Sequence, residues 1–174
     1  MVIRTRLPIS GRAIVFVTTT VKDWAPVFNI EEVAQAVLTQ FAEALEYYRI
    51  SLVGYVLMPS HLHALLGLKQ IESLSRFMQS FKILSSKRVK QIPALRKYQC
   101  LYKGTSFGLW MPRFDDLIIT SEEQFRIKLE YIHQNPMRAG LVENAGDWPY
   151  SSASEWLHDR PGLLKIDKDF RWQA

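Results

Sequence analysis

The chain is poor in cysteine, with Cys100 alone. That excludes an internal disulfide and any Cys-x-x-Cys zinc or redox site, and it points to a reducing compartment, the cytoplasm. Long apolar runs are missing as well. Although 48% of the residues are hydrophobic, no run reaches the length of a bilayer span. Residues 13–17 are too short to be a secretory h-region, so a soluble protein with no membrane partner is expected. The eight glycines build no phosphate-cradling loop, which argues against nucleotide hydrolysis. Gly104-Thr105-Ser106-Phe107-Gly108 does match the Gly-x-Ser-x-Gly string. A nucleophile elbow needs a helix after it, however, and here Pro112 and a strand-like run follow, so Ser106 is read as loop. There are no internal repeats or low-complexity tracts.

Negative charge is missing from residues 73–113. Arg76, Lys82, Lys87, Arg88, Lys90, Arg96, Lys97, Lys103 and Arg113 all fall in that stretch, within a chain of net charge +5. Interleaved with Phe77, Phe81, Tyr98 and Tyr102, the block suits a phosphate backbone with bases to stack on. The plainer reading is a solvated basic face.

What is present organises around residues 55–68, Tyr-Val-Leu-Met-Pro-Ser-His-Leu-His-Ala-Leu-Leu-Gly-Leu. A strand sends alternate side chains to opposite faces, so His61 and His63 point the same way while Leu62, Ala64, Leu66 and Leu68 enter a core. Two imidazoles on one face of a strand can serve one metal ion. Histidine pairs in sheets are also often ordinary hydrogen-bonded residues.

At 174 residues the chain suits one domain. Residues 14–21 read as a strand, broken by the Pro26 region. Asn29-x-x-Glu32 resembles a capping box, and Val33, Val37, Phe41, Ala44 and Tyr48 continue at helical spacing, predicting a helix over 30–48. Residues 50–58 and 61–68 read as a hairpin turning at Pro59-Ser60. A second helix is expected over 72–90, with Leu74, Phe77, Met78, Phe81 and Leu84 inward and a basic outer side, stopped by Pro93. Residues 91–105 read as loop, and 107–119 as a fourth strand bent at Pro112. Thr120-x-x-Glu123 predicts a helix opening there and ending at Asn135-Pro136. On that helix Phe125, Leu129 and Ile132 form one stripe, and Gln124, Lys128, Tyr131 and Asn135 another, off the core. Trp148, Tyr150, Trp156 and Trp172 suggest an aromatic-anchored tail.

The order strand, helix, strand, strand, helix, strand predicts an α+β fold. It is a ferredoxin-like antiparallel sheet with two crossover helices on one face, the other face free for chemistry, plus a C-terminal helix carrying Tyr131. Tyr131 and Asn135, four residues apart, share a helical face, so a phenol and a carboxamide can approach the histidines together.

Residues 55–66 together with Tyr131-Ile-His-Gln-Asn-Pro-Met-Arg-Ala-Gly-Leu-Val142 resemble the REP-associated tyrosine transposases. These lie within the wider single-tyrosine, histidine-hydrophobic-histidine transposase superfamily. Val17-Thr18-Thr19, residues 110–114 and Asp147-Trp-Pro-Tyr-Ser-Ser152 extend the likeness. The resemblance implies a catalytic body over residues 1–142 with an appendage over 143–174. It implies His61 and His63 as metal ligands, Tyr131 as the nucleophile and Asn135 as third ligand, where related insertion-sequence transposases carry glutamine; Gln134 competes one residue away. The implied activity is DNA cleavage and strand transfer through a 5′-phosphotyrosine, on single-stranded DNA bearing a repetitive extragenic palindrome hairpin. The basic block would grip phosphates. Imidazole and oxygen ligands with a phosphate substrate suit Mg²⁺ or Mn²⁺, zinc being a further option. A hairpin-DNA-binding regulator without catalysis and a water-using phosphodiesterase are the competing readings. Monomer and homodimer are both compatible with the sequence.

Overall fold

The computed structural model describes residues 10–171. Residues 1–9 and 172–174, and with them Trp172 and the outer ends of the two expected segments, lie outside the described residues. The elements in chain order are β1 (Ala13–Thr20), α1 (Glu31–Tyr48), β2 (Ser51–Met58), β3 (His61–Leu68), α2 (Leu74–Val89), β4 (Tyr102–Lys103), β5 (Ser106–Phe107), β6 (Asp115–Ile119), α3 (Glu122–Arg138) and α4 (Ala153–His158). β1, β2, β3 and β6 form one sheet in the order β2-β3-β1-β6, each neighbour antiparallel. This is the expected α+β, ferredoxin-like arrangement, and it follows from two strand-helix-strand units whose strands interleave.

α1 and α2 cover one face. Leu62, Ala64, Leu66 and Leu68 meet Val33, Val37, Phe41, Phe77, Met78 and Phe81 there in one buried cluster. Phe41 packs on Phe77 and Phe81 at ring separations of 5.8 and 4.9 Å. Leu84, expected on the inner stripe of α2, is 41% exposed. The stripe turns instead through Ser85 and Val89, because the Ser85 hydroxyl accepts the Trp110 indole N–H at 2.9 Å.

The second face is not free, contrary to the sequence reading. Ile14, Phe16, Val53, Val56, Met58, Leu65, Ile119, Ile132 and Phe170 form a second buried cluster, roofed by α3 and the C-terminal segment. On this face β1 and β3 contribute Ile14, Phe16 and Leu65, and taking these apolar side chains out of water under the roof stabilises the packing. Two glycines permit the close approach. A Cβ on Gly54 would stand 2.7 Å from Leu129 Cδ1, and one on Gly67 would stand 2.6 Å from the Phe170 ring.

Several local expectations are corrected. Asn29 does not cap α1: it closes a 3-10 turn (Val27–Asn29), Ile30 takes the cap position, and no side chain bonds there. At α3 the capping box is one residue later than Thr120-x-x-Glu123. Ser121 Oγ accepts the Gln124 N–H at 3.1 Å, while Gln124 Oε1 accepts the Thr120 N–H at 2.8 Å. α3 also runs through Pro136 to Arg138, since Pro136 near the helix end removes only one backbone donor. The fourth strand is confined to β6. Residues before it form the small β4-β5 hairpin, then Trp110 bridges to Val21. α2 is preceded by a 3-10 turn (Ile71–Ser73), and residues 93–101 hold two further turns.

The C-terminal segment occupies the outer edge of β2. Leu57 N–H donates to the Tyr150 carbonyl, Ser152 N–H to Tyr55 and Asp167 N–H to Leu52, at 2.8, 3.0 and 2.8 Å. Trp148 and Trp156 fasten it by donating indole N–H groups to the carbonyls of Leu57 and Val53. An exposed strand edge is thereby satisfied.

Candidate active site

The second face stays polar only at the end where β1 stops and β3 begins. The register places Thr18 opposite His63 and Thr20 opposite His61, with Asp115 on the other side of Thr18. Both histidines share this face, as the strand periodicity requires, with ring centroids 4.7 Å apart and planes at 77°. Their Nδ1 atoms meet hydroxyls: His63 with Thr18 Oγ1 at 2.7 Å and His61 with Ser60 Oγ at 3.2 Å. With those hydroxyls accepting from Nδ1–H, each ring presents Nε2 as a lone pair, the tautomer a metal ligand needs.

The environment keeps both rings neutral. Burial, then the neighbouring His61 and Lys128, lowers the His63 pKa to about 3; burial alone lowers that of His61. Phe16 lies flat against His63 at 5.4 Å.

α3 brings Tyr131 to this corner. Its ring stands edge-on to His63 at 5.3 Å and to Phe16 at 6.0 Å. The side chain is half-buried, so it belongs to the roof rather than to a free helical face. Two cations flank it, the Lys128 ammonium 5.5 Å and the Arg138 guanidinium 5.7 Å from the ring centre. Asn135, one turn on, donates from Nδ2 to the Tyr131 carbonyl at 3.0 Å, which leaves its Oδ1 as the atom with lone pairs to offer. Gln134 is engaged elsewhere, donating to Glu130 and accepting from Arg138 on the exposed side.

The donor set fits a divalent cation. Among the described residues no three His, Cys, Asp or Glu side chains come together to hold a metal. A third protein ligand beside the two imidazoles would then be of another side-chain type, and the Asn135 carboxamide oxygen on α3 is one such atom.

The basic block lies on the helix layer, across the sheet from Tyr131. Arg76 sits near the start of α2, at the far end of the sheet. Lys87 and Lys90 come at the other end of the helix and line a cleft of ≈ 460 Å³ with residues 105–112. Lys82 Nζ donates to the carbonyls of Met111, Pro112 and Arg113 at 2.5, 3.0 and 3.3 Å, so that ammonium pins the loop before β6. Arg88 pairs with Glu43 at 2.9 Å, and the Lys97 ammonium lies over Tyr98. Arg96, Lys103 and Arg113 are exposed.

Sequence reasoning did not single out Phe16, Thr18 or Arg138, and it gave Lys128 no role. Thr18 and Phe16 become visible only once the β1-β3 register is known, whereas Lys128 and Arg138 stand three residues before and seven after Tyr131 on one helical face. His133 was also missed. It is a buried neutral histidine, its pKa lowered to about 4 by burial, whose Nε2 meets Ser152 Oγ at 2.9 Å. Ser152 Oγ in turn receives the Tyr55 N–H, tying α3, β2 and the C-terminal segment together.

Comparison with known proteins places this arrangement. The chain is 28% identical over 116 residues to a Haemophilus influenzae protein named for the REP-associated tyrosine transposases, covering 64% of either chain. It is 28% identical over 99 residues to the Escherichia coli REP-associated tyrosine transposase, covering 57% of this chain and 52% of that one. The matched stretches thus span less than two thirds of either relative. In fold it is similar to a REP-associated tyrosine transposase solved bound to a REP hairpin, with TM-score 0.71 and 20% identity, over 100% of this chain and 98% of that one. A second likeness is a transposase structure from Deinococcus radiodurans, TM-score 0.53 and 21% identity, over 75% and 95% of the two chains. The family model for IS200-like transposases matches residues 12–135, from the start of β1 to Asn135. The chain belongs to the IS200-like transposase family, and its relatives by sequence are REP-associated tyrosine transposases.

Proposed function

We propose that the protein cleaves and rejoins single-stranded DNA next to a hairpin, with Tyr131 as nucleophile. The observation that carries this reading is the convergence of the Tyr131 ring on His63, itself 4.7 Å from His61, in the one polar corner of an otherwise apolar sheet face. Hairpin DNA as substrate is supported by the REP hairpin held by the structural relative.

In the reaction proposed, the Tyr131 Oη–P bond forms as the P–O3′ bond breaks. The phenolic proton is released and the 3′ oxygen takes one up, giving a 5′-phosphotyrosine and a free 3′ hydroxyl. The phosphodiester energy is kept, so another 3′ hydroxyl can reverse the step. His61, His63 and Asn135 would hold Mg²⁺ or Mn²⁺, which supplies Lewis-acid polarisation of the scissile phosphate and stabilises the leaving oxygen. Lys128 and Arg138, on either side of the Tyr131 ring, add positive charge where the phosphate enters.

The test is incubation with end-labelled hairpin DNA carrying single-stranded flanks, with Mn²⁺ or Mg²⁺, followed by a denaturing gel. A covalent adduct that vanishes in Tyr131→Phe while binding persists is the expected result. Cleavage that survives Tyr131→Phe would show water to be the nucleophile. Binding without an adduct on any hairpin substrate would make the protein a DNA-binding regulator.

A further inference from the structure

The segment between β1 and α1 folds over the β2-β3 turn and is pinned to it. Val21 N–H donates to the Ser60 carbonyl at 2.8 Å and Phe28 N–H to the Pro59 carbonyl at 3.0 Å. Its other apolar members, Val21, Ala25, Val27 and Phe28, are buried. Trp24 is not: it is 60% exposed. Its indole stands 5.5 Å from the His61 ring, at 70° to it.

Single exposed apolar residues are ordinary. The backbone here is not. Asp23 and Trp24 take φ of 51° and 54° in succession, and neither is glycine. Left-handed geometry is unfavourable for bulky L-residues, and such strain gathers at functional sites. Glycine or asparagine would make the same turn more easily, so the indole is held beside His61 against the preference of its own backbone. The turn is not loose either, since Trp24 N–H donates to Val21 and Ala25 N–H to Lys22 at 3.1 Å each.

A large flat apolar face, rigidly presented to solvent at the edge of a strand-cleaving site, matches an unpaired base. We propose that Trp24 is the stacking platform for one unpaired nucleobase next to the phosphodiester that Tyr131 attacks. The proposal rests on the strand-cleavage reading and adds a specific base contact to it.

The experiment measures equilibrium binding at fixed salt in the Tyr131→Phe protein, which cannot form an adduct, with Trp24 intact or changed to Ala or Phe. The probes are one hairpin oligonucleotide with single-stranded flanks and a set of derivatives, each with one abasic site at successive flank positions. Trp24→Ala is expected to weaken binding of the intact strand by roughly 5- to 150-fold, the range for loss of one stacked base, and Trp24→Phe to retain most of it. One abasic position should weaken the Trp24 protein by the same factor and leave Trp24→Ala unaffected. Binding of the intact strand by Trp24→Ala within about twofold of the parent would overturn the proposal. So would abasic effects that are identical in both proteins at every position, or a lowered melting temperature with uniform loss across the set. Absence of an adduct with wild-type protein would instead sink the cleavage reading, and the abasic scan would still report the stacking contact.

Discussion

Replacing Thr18 by valine tests whether the histidine corner is organised as described. Valine keeps the β-branched shape that suits the strand and removes only the hydroxyl facing His63 Nδ1 at 2.7 Å. His63 is 5% exposed and Phe16 covers one ring face, so its Nδ1–H loses its partner where water has poor access. Orphaning a buried donor costs about 1–3 kcal/mol. Because Thr18 itself is half-buried and a water can enter from its side, the lower half, about 1–2 kcal/mol, is expected. In a chain of this size that lowers Tm by about 2–8 °C. The second consequence concerns the other ring nitrogen. Without the hydroxyl the Nε2-bearing tautomer is no longer fixed, and loss of such a supporting bond typically weakens metal binding by about 10- to 100-fold. Calorimetric titration of Mn²⁺ into wild type and Thr18→Val, with urea melts of both, reads the two effects. Unchanged Mn²⁺ affinity together with unchanged stability would show that Thr18 does not orient His63.

Other outcomes follow from the same geometry. His133 and His63 have pKa values lowered to about 4 and about 3, so the unfolded chain binds more protons than the folded one below about pH 6.5. Stability should therefore be level above that pH and fall as pH drops towards 4, His133 alone contributing about 3 kcal/mol at most; melts across this range should flatten in His133→Gln, and an unchanged slope would refute the assignment. Lys82→Met should destabilise by about 1 kcal/mol, because the three carbonyls it serves can turn to water, and leave the salt dependence of single-stranded DNA binding as it was. Lys87→Ala with Lys90→Ala should reduce that salt slope by roughly 1.4, at about 0.7 per phosphate contact, while Arg76→Ala at the far end of α2 changes it least; an equal effect from Arg76 would place the strand elsewhere. Gly54→Ala should cost about 1–3 kcal/mol by overpacking, since the added methyl meets Leu129 at 2.7 Å, and a melting temperature equal to wild type would mean α3 is not seated as described.

The sheet order and the helix layer were legible because two periodicities suffice for them. The alternation in β3 settles which side Leu62, Ala64, Leu66 and Leu68 take, and the α1 and α2 stripes settle what covers them. Capping boxes were legible in kind but not in register. Ser121 and Gln124 can make the same reciprocal pair as Thr120 and Glu123, and only the path of the entering chain decides between them. The roof over the second face was not legible, because nothing local records that Gly54 and Gly67 leave room for Leu129 and Phe170.

That roof determines what the site can be. Had the second face been open, the pair of imidazoles would sit at the edge of a broad exposed surface, and Tyr131 would have to be positioned by the DNA. Instead Ile14, Leu65 and Ile119 seat α3 against the sheet, and the same packing that buries Ile132 carries Tyr131, its immediate neighbour, to the edge of His63. The apolar stripe of α3 is thus the positioning device for its polar one. Moving α3 outward by a bulky residue at Gly54 should accordingly separate Tyr131 from His63 and reduce adduct formation, and because Asn135 rides on the same helix it should weaken Mn²⁺ binding as well. Adduct formation and Mn²⁺ affinity both equal to wild type would show that the packing at Gly54 does not seat Tyr131 and Asn135.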